Sequence, residues 1–202
     1  RIGGWVRELG ADDALPAKEL LPLQHVSGIG TDDAVCELAE WAAHRWAGRR
    51  SQFFRAASPP RVVSAIGAAS YSGLKPEPRS PATTKLLDGG GGVLRLPPTS
   101  DVLPAVWSCI EHGPVLVIVP GVDDAAILNS RIGRAGVTTA LLPQDWSRAA
   151  AGVDVSVGTR TAAFARLPKL GSILIVDEFD ERLQSESSPT WHAREVLAER
   201  AR

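Results

Sequence analysis

Gly171-Ser-Ile-Leu-Ile-Val-Asp-Glu178 decides the fold class, together with Val115-Leu-Val-Ile-Val119. Both aliphatic runs are unbroken rather than alternating. That is the pattern of a strand covered on both faces, as strands are in a parallel sheet. Working outward, Val93–Leu96, Val137–Leu142 and Val153–Val157 read as further strands. Asp101–His112, Val122–Arg134 and Thr190–Arg202 read as helices, with apolar residues recurring at helical steps. Such alternation predicts an α/β domain with a parallel sheet over 93–202, and ligands at the carboxyl ends of its strands.

The chain has 202 residues, 44% of them apolar, and a net charge of −1. It can bury a core, and its near-neutrality excludes both general disorder and a grip on nucleic acid by bulk charge, though not by a local basic patch. Cys36 and Cys109 cannot alone build a four-ligand zinc site or a disulfide framework, which points to a reducing cytoplasm. The apolar runs are too short for a membrane span, so no membrane partner is expected. With no methionine and a start at Arg1 that reads as mid-strand, the sequence is expected to be a piece of a longer protein.

Two segments precede the predicted sheet. Within 1–61, Ile2–Val6 resembles the last strand of a small β module. Asp32 to Ala47 reads as an amphipathic helix, with a Thr31-Asp32-Asp33 start and Gly48 as its stop. Residues 62–92 hold Pro76, Pro78, Pro81 and Gly89–Gly92, and read as a linker with a short helix near Val62–Ala69.

Four motifs carry the candidate chemistry. Asp177-Glu178 after a buried strand matches the second nucleotide-site motif of P-loop ATPases, where the Asp holds magnesium and the Glu orients water. It also fits a strand running into a solvated acidic loop. The phosphate cradle such a site needs is missing. The corresponding strand–loop–helix stretch ends in Pro97-Pro98-Thr99-Ser100-Asp101, without Gly-Lys-Thr or Gly-Lys-Ser. The prolines remove two N–H donors, and Asp101 puts a negative charge where phosphate would sit; Thr99-Ser100-Asp101 reads as a helix cap.

Gly158-Thr159-Arg160 offers backbone N–H groups, a hydroxyl and a guanidinium at a strand end, which suits either a DNA-backbone contact or an ordinary turn. No acidic residue lies between Trp41 and Gly73, yet Arg45, Arg49, Arg50, Arg55 and Arg61 do. The arginines read as a nucleic-acid face. The interleaved Trp41, Trp46, Phe53 and Phe54 read as core. His192 and Arg194, at a helix start, read as structural, with carboxylate partners such as Asp180 or Glu181.

Val157-Gly-Thr-Arg-Thr-Ala-Ala-Phe-Ala165, Leu170–Glu178 and Trp191-His-Ala-Arg-Glu195 together resemble the primosomal protein N′ family of replication-restart helicases. Val115–Pro120 looks like that family's motif Ia strand. Arg1–Val6, Ala43–Gly48 and Phe54–Pro60 look like the end of its N-terminal DNA-binding domain. The resemblance implies the end of a small β-rich DNA-binding domain (1–61), a linker (62–92) and a RecA-like, P-loop NTPase-type helicase lobe (93–202). It implies primosome assembly at stalled or branched forks, with DNA and primosome proteins as partners. ATP and magnesium come from this resemblance alone.

The departures are specific. The lysine motif is absent, the family's D-E-x-H box is Asp177-Glu178-Phe179-Asp180, and the second lobe with its zinc insert would lie beyond Arg202. The pattern resembles a degenerate actinobacterial branch described as lacking helicase activity, so Asp177 and Glu178 are expected to be vestigial. An active 3′–5′ helicase with a remodelled phosphate loop and a protein-docking scaffold remain the alternatives.

Overall fold

The computed structural model describes residues 4–6 and 23–202. Four strands form one sheet: β1 (Val115–Ile118), β2 (Thr139–Leu141), β3 (Val155–Gly158) and β4 (Ser172–Ile175), in the order β2-β3-β1-β4. All pairings are parallel. Val115 faces Val155 on one side and Ser172 on the other. Every residue of β1 is buried, because helices cover both faces of the sheet. That is why the run could be apolar throughout rather than alternating.

Seven helices surround the sheet: α1 (Asp33–Arg45), α2 (Arg50–Ala57), α3 (Pro81–Asp88), α4 (Leu103–Ile110), α5 (Val122–Arg134), α6 (Trp146–Ala151) and α7 (Ala193–Arg200). One core joins α4 and α5 to one sheet face through Val106, Leu128, Ile132, Val117 and Val157. The other joins α1, α2, α6 and α7 to Leu116 and Ile118. Its centre is aromatic. Phe53, Phe164 and Trp191 pack with ring centroids 5.2 to 6.4 Å apart, the separation at which tilted and edge-to-face rings attract.

Helix α1 starts where Asp32 accepts a hydrogen bond from Val35 N at 3.1 Å. It buries Val35, Leu38, Ala39 and Ala42 as its periodicity predicts. Helix α2 is new. It buries Phe53 and Phe54 and folds back on α1, so the aromatics of this region are core. Of the expected Ile2–Val6 strand, residues 4–6 are described and are irregular, while residues 2 and 3 lie outside the described residues. Residues 23–61 contain no strand.

Two element predictions need correcting. Val93–Leu96 is not a strand; it is irregular and mostly exposed, and joins no ladder of the sheet. Its four apolar-rich residues follow a glycine run and find no neighbouring strand to satisfy their backbone groups. Val62–Ala69 is not a helix. The Pro/Gly-rich stretch instead forms α3, started by Ser80 with Pro81 in the first turn, and a strap across the amino end of the sheet. The strap is held by the buried Asp154. Its carboxylate accepts from Ser72 N (2.8 Å), Ser72 Oγ (2.6 Å), Thr138 N (3.1 Å) and Thr138 Oγ1 (2.7 Å).

Candidate nucleic-acid interface at the carboxyl end of the sheet

Gly158 ends β3, and the chain turns at Thr159 into a 3-10 helix, Arg160–Phe164. A Cβ at position 158 would lie 2.6 Å from that of Ala162 and 3.1 Å from that of Leu142, so glycine is what lets the turn pass this close. Arg200 secures the far end of the turn by donating to the carbonyls of Ala163 (2.8 Å) and Ala165 (2.7 Å). Burial lowers its pKa to about 10, against a smaller raising effect of Asp32, so it is still charged at neutral pH.

Beside this turn lies an open cleft of about 560 Å³, between the β1–α5 loop and the turn. Gly121, Thr159 and Thr161 line it, with Arg160 and Arg182 as its cations and Asp123, Asp124 and Glu186 as its carboxylates. Neither arginine is idle. Arg160 donates from Nη1 to the Arg182 carbonyl at 3.0 Å. Arg182 grips Asp180 with two bonds, Nε–Oδ1 at 3.0 Å and Nη2–Oδ2 at 2.8 Å, and reaches Asp124 at 3.9 Å. The hydrogen bonds from Arg182 hold the Asp180 carboxyl well below its ordinary range, at about 2. Arg182, Asp180 and Asp124 were invisible in sequence, since each reads there as a solvated charge.

Asp177 and Glu178 follow β4 as predicted, with Asp177 in the left-handed region at φ 51°. They do not line the cleft. The Pro97–Asp101 loop does not complete a nucleotide site around them. Asp101 caps α4, accepting from Leu103 N at 3.0 Å, and is paired with Arg131 of α5 at 2.7 Å. Residues 93–100 are mostly exposed, with two prolines where N–H donors would be needed. These residues do not fit a triphosphate.

His192 caps α7, its Nδ1 accepting from Arg194 N at 3.1 Å. Thr190 is not the cap. The expected pairing of this motif with Asp180 or Glu181 is corrected: Asp180 belongs to Arg182, and Arg194 lies over the ring of Phe179, 5.3 Å from its centroid. Glu195 binds Arg45 at the end of α1, at 3.2 Å. On α1 and α2, Arg50 sits 3.9 Å from Glu40, while Arg49, Arg55 and Arg61 are exposed and make no ion pair with any described residue. The arginine run and the Gly158–Arg160 turn are therefore separate sites, linked through α7.

The chain is 28% identical over 166 residues to "Probable replication restart protein PriA" of Mycobacterium tuberculosis (strain CDC 1551 / Oshkosh), covering 80% of this chain and 23% of that protein. Its curated relatives are replication restart proteins. Another with the same printed name, from Mycobacterium bovis, matches to the same extent, and one from Mycobacterium leprae is 26% identical over 155 residues, 76% of this chain and 22% of that protein. The chain thus spans about a quarter of the length of the relatives it matches. No family model matches it. No described helix is long and apolar enough to cross a membrane.

Proposed function

We propose that the chain is the DNA-engaging section of a cytoplasmic replication restart protein, used in primosome assembly at stalled or branched forks. Its RecA-like lobe serves as a scaffold that does not hydrolyse ATP. The observation that carries the DNA-binding role is the arginine surface of α1 and α2. Arg49, Arg55 and Arg61 are exposed without ion-pair partners, and Arg45 and Arg50 are held only by exposed pairs worth about 0–1 kcal/mol. A phosphate backbone can displace such pairs at little cost. Gly158, Thr159 and Arg160 form a second backbone-binding point. The acidic residues around them make it weaker than the first, because each carboxylate near a phosphate opposes binding.

The lobe's inactivity rests on the loop at Pro97–Asp101, which offers a tied-down carboxylate where a nucleotide needs cations and N–H donors. The test is fork-DNA binding across a salt series with the triple variant R45A/R49A/R50A. The expected result is weaker binding and a salt slope shallower by about 0.9 for each duplex phosphate that the variant no longer neutralises. Unchanged affinity and slope would point to the protein-docking alternative.

A further inference from the structure

We infer that Phe179 is a stacking platform for an unpaired DNA base, so that the lobe takes single-stranded nucleic acid across the carboxyl end of its sheet. The inference rests on the DNA-binding reading above and names which form of DNA this end accepts. Phe179 is 81% exposed, the most exposed large apolar side chain among the described residues. An isolated phenylalanine in a loop of charged residues contributes nothing to the core, and water contact with its ring is unfavourable by the area rule. Its ring is nevertheless held from one side. The Arg194 guanidinium lies 5.3 Å from its centroid, fixing the ring's orientation and leaving most of it open.

The surroundings suit a nucleic-acid strand. A continuous series of interactions runs from the arginine surface to the cleft through this ring. Arg45 holds Glu195 at 3.2 Å, next in sequence to Arg194, which holds Phe179. Phe179 precedes Asp180, which holds Arg182 at 2.8 Å, and the Arg182 carbonyl accepts from Arg160 at 3.0 Å. Four guanidiniums therefore lie along one path, with an exposed aromatic ring between the second and third. The two carboxylates on the path, Asp180 and Glu195, are each already neutralised by an arginine. Cations for phosphates and an aromatic face for a base form the arrangement that binds single strands with little sequence preference. A duplex keeps its bases stacked inside and gives the ring nothing to hold.

The experiment compares the chain with F179A, F179W and R49A/R50A, by anisotropy on an oligothymidylate and on an abasic oligonucleotide of the same length. F179A is expected to weaken oligothymidylate binding by roughly 5- to 100-fold, the scale of one base–aromatic stack, and to leave abasic binding unchanged. F179W should restore it. Because the ring is exposed, F179A should melt with the parent chain. If F179A binds both oligonucleotides like the parent while R49A/R50A binds them less well, the stacking role is overturned and the DNA-binding reading stands; Phe179 then serves a protein partner. If the parent chain binds neither oligonucleotide nor fork DNA, both fall.

Discussion

His192 reads as structural in sequence, and the fold specifies which structural task it performs. Its Nδ1 accepts the Arg194 N–H, so the ring must be unprotonated there to act as the cap of α7. Burial, then the Arg194 charge, lowers its pKa from the ordinary 6.5; Glu195 and Glu178 oppose this in part. The folded state thus binds a proton less readily than the unfolded chain. The stabilisation is complete above pH 6.5 and is lost as pH falls through that value. H192A should cost about 1 kcal/mol of stability at pH 8 by loss of a cap, and should flatten the fall of stability between pH 7 and 5. H192S should keep the cap and also lose the pH dependence. Urea melts at several pH values measure both. Equal pH slopes in parent and H192A would refute the capping role.

Among the elements, the strap at 69–74 is the piece whose importance the sequence hid. Pro/Gly composition marks it as a linker, but composition says nothing about a buried carboxylate more than eighty residues away that accepts its N–H and hydroxyl. Burial raises the Asp154 pKa, yet the hydrogen bonds from Ser72 and Thr138 outweigh that and leave it below the ordinary 3.8. Its contribution is present above that pH and lost as pH falls below it. D154A should destabilise the chain by ~2 kcal/mol, because it strands donors on both the strap and the sheet. D154N, which keeps one carbonyl oxygen, should cost less. Proteolysis should cut first within 69–74 in D154A; cleavage unchanged from the parent would mean the strap is held by something else. The same logic explains α2 and α3. At eight residues each, they are too short for periodicity to announce and exist through packing on α1 and α4. By contrast α5 was legible to the residue, since thirteen residues show the helical period and Gly121 and Ala135 bound it.

For the whole molecule, the absence of a triphosphate cradle gives a measurable outcome. A ligand at a hundred times its Kd adds about 2.7 kcal/mol to the stability of a folded chain. In a domain of this size that would raise Tm by roughly 5 to 10 °C. Millimolar magnesium–ATP is expected to leave Tm unchanged in both the parent and D177A. A rise seen in the parent and absent from D177A would restore the nucleotide site.

The order of residues by itself determined the parallel sheet, the arginine-rich stretch without carboxylates, and the replacement of a cation-bearing loop by Pro-Pro and Asp. Each of these is a property of neighbouring residues, and the chain carries it in any conformation. The tertiary structure alone decided strand order, the pairing of Arg182 with Asp180 and Asp124, and the placing of Arg194 under Phe179. Those depend on which loops the crossovers bring to one end of the sheet. Charges and rings act across space over a few ångströms, and separation along the chain does not report that distance.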